Sequence, residues 1–513
     1  MFAKTVFAQR IVRLMNRDNT TVETAVEEQG QRYDVIVVGS GAGGSTLAYQ
    51  LALNGHRVLV IERGSYLRPG RKNASDSVGI YMGHLVKNRD GPPFFVGGQT
   101  KFYGAALYRM RESDFQAVEH EKGISPSWPI TYSEIEPYYE RAEALYCVHG
   151  STNGDLSEPP RARPFPYPPI EHAPIVSKLA ERIEHSGTRV SAIPLGLDYR
   201  PEGRCVLCST CDGYYCQLGA KMDAEIAALR PALATGNVRL MTETDCVRVL
   251  TTKDGSRTIG ILIRHLGREQ EIHADAVAIC TGLTSSTTLL RRSRNQKHPE
   301  GLGNATGCLG RYLAGHSAGL IFPFMGWKRM PATYTKTFAI NGYYNGAPEW
   351  PYPTGTIQLA GQMPFWEEAP RPLRPLAHFV GTHTLMCFYM TEALPTRHTG
   401  LIFDGDEIIN RVPPVQNLET FSKLRDLAVD IFRQAGHRVL IRRRPPYIWH
   451  EVGTARFGAD PATSVVDPNC QVHGIEGLFV VDASVLPTAG AVNTALTIIA
   501  LALRAGDHIS RNL

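Results

Sequence analysis

The chain of 513 residues has no apolar run of 18 residues free of charge, which excludes a transmembrane helix. It has little excess charge of either sign: Lys and Arg number 54, Asp and Glu 49, and the net is +5. So small an excess on so large a chain predicts no nucleic-acid stripe and no polyanionic partner. Internal repeats and low-complexity tracts are missing as well. Ten cysteines are present, but six are scattered singly and four fall between Cys205 and Cys216. That pattern excludes a dense secreted disulfide scaffold and favours a reducing, cytoplasmic compartment.

A secretory signal is also lacking. Residues 1–17 set Phe2, Val6, Phe7, Ile11, Val12, Leu14 and Met15 among Lys4, Arg10, Arg13 and Arg17. The spacing predicts an amphipathic helix, and no continuous apolar stretch or small-residue cleavage site accompanies it. Such a helix packs on the body of the protein or on a neighbouring subunit of an oligomer. Residues 18–30 are polar and read as a linker.

What is present is ordinary globular composition, 43% apolar and 20% charged, in a length that allows roughly three units of about 150 residues. Residues 33–62 alternate strand, helix, strand. Six prolines between Pro159 and Pro169 are too many for a helix or central strand and predict an extended crossing segment. Residues 238–282 read as strands, with Val277–Cys280 running into a turn at Thr281-Gly282. Residues 320–440 are more varied and aromatic-rich, and look like a separate sheet. A long helix is expected from about Asn493.

The strongest motif is Tyr33-Asp-Val-Ile-Val-Val-Gly39-Ser40-Gly41-Ala42-Gly-Gly44. An apolar strand enters a Gly-x-Gly-x-x-Gly turn and a helical pattern leaves it. Gly39 permits the tight turn, Gly41 lets backbone approach a pyrophosphate, and Gly44 lets the helix pack close to the strand. The helix N-terminus offers free amides to phosphate. A second strand ends at Glu62-Arg63, and Glu62, 18 residues past Gly44, is placed to accept from ribose hydroxyls. The fingerprint alone does not separate NAD from FAD.

The surroundings do. Gly97-Gly98-Gln99-Thr100 with Gly104 follows instead of a second βαβ half, and here the chain resembles the glucose–methanol–choline oxidoreductases. The resemblance implies FAD, with Gly97, Gly98, Thr100 and Gly104 along the flavin. It implies Val247 in the strand that meets the adenine, and Thr281-Gly282 in a turn passing the dinucleotide. Related pyranose 2-oxidases tether the flavin through a histidine where this chain has Phe102, so non-covalent FAD is expected. The implied fold is α/β (α+β overall): a Rossmann-like FAD-binding domain interleaved with a sheet-plus-helices substrate domain. Residues 31–150, 205–315 and 445–513 are assigned to the first, and 151–204 and 316–444 to the second.

The C-terminal block resembles that family in order and spacing: Trp449-His450-Glu451, Asp482-Ala483, and Val492-Asn493-Thr494. By this resemblance His450 takes the proton of a substrate hydroxyl as hydride leaves for flavin N5. Asn493 cannot be a base but can orient the substrate oxygen, and it competes as a plain helix N-cap. The His/Asn pairing is the one seen in pyranose-oxidising members. Asp482, Ala483 and Thr494 fall where the family contacts FAD. His473 reads as a turn residue and Arg442-Arg443-Arg444 as a solvated charge run.

Cys205, Cys208, Cys211 and Cys216 depart from the pattern. Some cytochrome-linked sugar dehydrogenases hold a three-iron cluster in a comparable insert, although their spacing differs. Three readings stay open: an iron–sulfur cluster, zinc, or thiols packing a loop. The expected substrate is a small alcohol or sugar. Trp327, Tyr334, Tyr343, Tyr344, Trp350, Tyr352, Phe365 and Trp366 are candidate faces for a pyranose ring or simply core. Glu349, Glu367, Glu368 and Glu392 are candidate partners for a cationic aminoglycoside. The electron acceptor is oxygen or a redox carrier.

Overall fold

A computed structural model describes residues 32–67, 94–209, 211–362, 369–442 and 445–513. The expected N-terminal helix and linker, and Phe365, Trp366, Glu367, Glu368, Arg443 and Arg444, lie outside the described residues.

The strands that build the two large sheets are, in chain order, β1 (Tyr33–Val38), β2 (Val58–Ile61), β3 (Ser191–Ala192), β4 (Val238–Met241), β5 (Thr244–Thr251), β6 (Thr258–His265), β7 (Arg268–Ile279) and β8 (Ala314–Pro323). They continue as β9 (Phe338–Ile340), β10 (Thr356–Leu359), β11 (Cys387–Leu394), β12 (Val415–Gln416), β13 (Val439–Ile441), β14 (Tyr447–Val452) and β15 (Leu478–Val480). The principal helices are α1 (Ala42–Leu53), α2 (Tyr132–Leu145), α3 (Pro174–His185), α4 (Leu283–Arg292), α5 (Leu418–Gln434) and α6 (Ala495–Asn512).

The first sheet runs β4-β2-β1-β7-β6-β5, with β15 added beside β7. Its pairs β2–β4, β1–β2, β1–β7 and β7–β15 are parallel. Parallel strands need both faces covered, and Val35 to Val38 of the central β1 are accordingly all buried. Helix α1 covers one face with Leu47, Ala48, Leu51 and Ala52, and α6 lies against it: Gln50 Nε2 donates to Asp507 at 2.7 Å. Helix α2 starts with a capping box, in which Thr131 accepts from the Glu134 amide and Glu134 from the Thr131 amide at 2.7 Å, as its Thr-x-x-Glu sequence dictates.

The second sheet runs β13-β8-β11-β10-β9-β3, with β12 beside β11 and β14 beside β8. Directly paired residues share a face. Ile321 of β8, Tyr389 of β11 and Ile357 of β10 pack beneath α3 and α5, against Val176, Leu179, Leu424 and Phe432. The opposite face carries His316, Ala318 and Leu320, then Glu392, Met390 and Phe388, then Thr356 and Gln358. Strand β14 brings Trp449 opposite His316 on that same face. Expectation and structure agree on the α/β class and on two sheets built from distant segments. Among the described residues no helix is long and apolar enough to cross a membrane.

Candidate active site

The dinucleotide cradle is a backbone construction. In the order β4-β2-β1-β7-β15 the chain reverses direction across the sheet between β1 and β7, and ligands of such sheets bind at the carboxyl ends of those two strands. Gly39 (φ +98°) leaves β1 so close to the end of β7 that an added Cβ would stand 2.5 Å from the Cys280 carbonyl oxygen. A Cβ on Gly44 would meet the Gly39 carbonyl at 1.9 Å, and one on Gly43 the Val481 carbonyl at 1.9 Å. Gly41 differs: a Cβ there meets nothing within 4 Å. Gly41 is the N-cap of α1, and no side chain caps that end, so the amides beyond it, beginning with Ala42, face open space.

Side chains hold this loop rather than fill it. Glu62 accepts from the Ser40 amide at 3.0 Å, the Ser40 hydroxyl at 2.6 Å and the Gly64 amide at 2.8 Å. Arg63 lies over the Phe94 ring at 4.4 Å. The Gly97 amide donates to Ser40 Oγ at 3.1 Å, and a Cβ on Gly98 would stand 3.0 Å from Gly41 Cα. The two glycine segments expected along one cofactor are therefore in contact. Thr100 closes the second turn, donating to the Gly97 carbonyl at 2.6 Å and accepting from Ala224 at 2.9 Å.

Of the remaining expected positions, Thr281, Gly282, Asp482 and Ala483 meet just beyond the ends of β7 and β15. Asp482 accepts from the Gly282 amide at 2.9 Å, from Ser286 Oγ at 2.5 Å and from Ser484 Oγ at 2.6 Å, with Ala483 following in a short 3-10 turn. Thr281 Oγ1 lies 2.9 Å from Ser286 Oγ. Val247 is the extra residue of a bulge, since Cys246 and Arg248 pair with the consecutive Ile263 and Leu262. A bulge leaves its residue unpaired in the ladder, which suits a strand edge offered to a base. A Cβ on Gly104 would run into Asp212 and Lys336, so this glycine admits a close-packed ion pair instead.

His450 stands at the other wall. Between the pairs Ala314–Val452 and His316–Trp449, β8 has one residue and β14 has two, so His450 and Glu451 form a bulge. His450 takes a left-handed φ of +49° there, uncommon for any residue but glycine. Gly315 opposite allows it, for a Cβ there would stand 2.9 Å from the Trp449 carbonyl. The bulge re-aims the ring onto the face of His316, and the two Nδ1 atoms are 2.9 Å apart. His316 is fully buried, and its Nε2 lies 3.2 Å from the Ala489 carbonyl. Burial, then His316 and Lys336, push His450 down to about 3, and burial pushes His316 down to about 4. Both rings are therefore neutral at pH 7.

Asn493 lies on the loop that His316 touches. Its Oδ1 accepts from Gln358 Nε2 at 3.2 Å, which leaves its amide hydrogens to donate elsewhere. The final helix begins at Ala495 with Thr494 as N-cap, so the expected start at Asn493 is corrected by two residues. Asn493 is no cap, because its side chain is engaged with the second sheet. Tyr344 braces the same loop. Its hydroxyl donates to Asp114 at 2.9 Å and accepts from the Ala491 amide at 2.8 Å. Burial raises Asp114 to about 7, with Glu392 adding to the effect.

Sequence reasoning missed His316, Gln358 and Lys336. The available signal was a lone histidine in the small-residue strand Ala314-Gly-His-Ser-Ala-Gly. Among the described residues the aromatic side chains on the His450 face are Phe322, Phe388, Tyr447 and Trp449, none of them among the expected residues. Trp327 is 80% exposed, Tyr344 is used on Asp114, and Trp350 donates to Thr420 at 3.2 Å. Of the expected carboxylates, Glu349 is exposed. Glu392 is buried and engaged by Ser125 at 2.8 Å and His120 at 3.2 Å. His473 bonds Ser464 at 2.8 Å, a turn residue as expected.

None of the four clustered cysteines is in a disulfide. Among the described residues no group of three or more His, Cys, Asp or Glu is arranged to hold a metal ion, although Cys205, Cys208 and Cys216 all act electrostatically on Cys211. Burial pushes Cys205 up to about 11 and raises Cys211 further. The loop is anchored instead by Lys221, which donates to the carbonyls of Tyr214 at 2.6 Å, Tyr103 at 2.9 Å and Cys211 at 3.2 Å.

Comparison with known proteins finds relatives of this chain. A family model described as GMC oxidoreductase matches residues 33–318, and a second with the same description matches residues 423–502. The chain is 28% identical to paromamine 6′-oxidase of Streptomyces fradiae, covering 94% of this chain and 92% of that one. It is 27% identical to 2-methyl-1,2-propanediol dehydrogenase of Mycolicibacterium austroafricanum, covering 93% and 95%. The fold matches pyridoxine 4-oxidase from Mesorbium loti with a TM-score of 0.61 at 18% identity, covering 93% and 99%. The chain belongs to the GMC oxidoreductase family.

Proposed function

We propose that this GMC oxidoreductase oxidises a hydroxyl group on a sugar or glycoside-type substrate, with His450 as base and Asn493 as the group that orients the substrate oxygen. The observation that carries the reading is a histidine re-aimed by a bulge onto the sheet face that also holds Gln358, the partner of the Asn493 oxygen. An alcohol oxygen needs both: an acceptor for its proton and a donor to its lone pair. FAD, the family's cofactor, supplies the hydride acceptor.

The cradle fits that group. Gly41 and the uncapped start of α1 would take the pyrophosphate, Glu62 lies at the ribose end, and the Val247 bulge offers backbone to the adenine. Asp482 and Ala483 would reach the ribityl region. With Phe102 where a tethering histidine would stand, FAD is held without a covalent bond. His450 is neutral and half-buried, so it takes a proton without first losing one to solvent. Phe388, Tyr447 and Trp449 supply aromatic surface for a ring substrate. The Streptomyces relatives, paromamine 6′-oxidase among them, favour aminoglycosides as the second substrate reading. The electron acceptor is oxygen or a redox carrier.

The test is anaerobic flavin reduction by a panel of methyl glycosides and aminoglycosides. His450→Ala is expected to retain FAD and to lose at least roughly 10²-fold in the rate of reduction. Unchanged reduction in that variant overturns the assignment of the base.

A further inference from the structure

The contact between buried His316 and half-buried His450 determines which nitrogen of His450 is free. His316 Nε2 faces the carbonyl oxygen of Ala489 at 3.2 Å. A carbonyl only accepts, so that nitrogen carries the hydrogen of the neutral ring. His316 Nδ1 is then a bare lone pair, and the atom 2.9 Å from it is His450 Nδ1. A hydrogen bond forms there only when His450 donates. The single hydrogen of neutral His450 is thus spent on Nδ1, and its Nε2 is left unprotonated.

The charged groups around the pair leave His316 neutral. Glu392 is directly opposite His316 in register, but its carboxylate is engaged by Ser125 and His120. Lys336, which acts on His450 electrostatically, is paired with Asp212 at 2.5 Å. Burial pushes His316 down and outweighs Glu392, which raises it electrostatically, so the ring stays neutral.

We propose that His316 is a positioning residue that locks His450 in the Nδ1–H tautomer, so that the base presented to the substrate is Nε2. The inference rests on the reading of His450 as base. In the reaction the substrate O–H bond breaks and its proton bonds His450 Nε2. The C–H bond breaks with both electrons moving as hydride to FAD, and the carbon–oxygen bond becomes a carbonyl. His450 is then an imidazolium, and its Nδ1–H still points at the lone pair of His316, which is backed by the Ala489 carbonyl. A neutral imidazole backed by a peptide carbonyl fixes the tautomer here, as a buried carboxylate does in a Ser-His-Asp triad, but adds no negative charge to stabilise the imidazolium.

The experiment compares His316→Leu with His316→Gln in the holoenzyme, together with 15N spectra of histidine-labelled protein in which the His450→Ala variant identifies the His450 signals. A glutamine can accept from His450 through its oxygen and donate to Ala489 through its nitrogen; leucine can do neither. We expect flavin reduction to fall by roughly 10²-fold or more in the leucine variant, by analogy with the cost of a wrong tautomer in the triad. KM should change by less than about threefold, since ground-state binding is untouched. The glutamine variant should recover to within about tenfold of wild type.

In the wild-type spectrum the unprotonated nitrogen of His450 should couple to both ring carbon protons, which marks it as Nε2. A hydrogen on Nε2 instead, or a glutamine variant no better than leucine, overturns the proposal. If the leucine variant does not fold, the wild-type spectrum still decides. If His450→Ala abolishes reduction while His316→Leu is unimpaired, only this inference fails. If His450→Ala is unimpaired, the base assignment fails as well.

Discussion

The glycine cradle and the wall that carries His450 are made of different materials. The cradle is backbone: Gly39, Gly43 and Gly44 have no room for a side chain, and Gly41 opens onto space. The wall is side chain: His316, Gln358 and Trp449 come from three strands, and His450 from a bulge. The teaching is about tolerance. A backbone surface fails when an atom is added, whereas a side-chain surface fails when a hydrogen-bond partner is removed. Mutations on the two sides should therefore separate cofactor retention from chemistry.

The largest effect is expected in the cradle. A Cβ on Gly43 would overlap the carbonyl of Val481, which belongs to rigid backbone. Gly43→Val should abolish soluble folded protein, as overpacking against backbone leaves nothing to yield. Gly41→Val should fold, because its φ is ordinary and its surroundings are open. It should cost FAD affinity by at least about tenfold, read by titrating apoprotein with FAD. If Gly41→Val unfolds the protein while Gly43→Val binds FAD normally, the division of labour drawn here is wrong.

The same contrast explains what could be read beforehand. A phosphate-binding turn needs consecutive residues in one strand–turn–helix unit, so Gly39, Gly41, Gly44 and Glu62 are legible as a run. His450 and Asn493 were legible only through the family's closing block. His316 and Gln358 lie in strands separated by a sheet register, and no local spacing links them to His450. Nothing in the run Trp449-His-Glu-Val announces a bulge either, because Gly315, which permits it, sits on the neighbouring strand. The aromatic residues misled for a related reason. Composition says how many rings a segment has, and only the pleat says which face they take. The final helix was placed two residues early because Asn is a good cap, while here its amide is drawn to Gln358.

Gln358 offers a middle-sized test. Gln358→Leu removes the partner of the Asn493 oxygen but leaves the bulge and the cradle intact. The freed amide can then rotate, and its donor is no longer held toward the substrate oxygen. Flavin reduction should fall roughly tenfold, consistent with about 1.4 kcal/mol for an orienting hydrogen bond, with FAD affinity unchanged. A variant that loses FAD instead would mean that Gln358 serves the cradle and not the wall.

The smallest effects concern pH, and they too belong to the wall. His450 at about 3 and His316 at about 4 are both depressed by burial, so the base stays neutral and the rate of flavin reduction should be flat from pH 8 to pH 5. An acid limb near 6.5 would show a solvated histidine instead. Stability should behave otherwise. Between about 4 and the ordinary 6.5 the unfolded histidines bind protons that the folded ones refuse, so stability is full above that window and falls as pH drops through it. Asp114, raised to about 7 by burial, acts with the opposite sign, because the folded carboxyl holds a proton that the unfolded one has released. Its contribution is present at low pH and is lost as pH rises toward 7. In Asp114→Asn that offset is gone, while the amide oxygen can still accept from Tyr344. Urea midpoints at pH 7.5 and pH 5 should therefore differ more in the variant than in the wild type. An equal or smaller difference would mean that Asp114 is ionised in the folded protein and that the loop at Ala491 is braced by a charge.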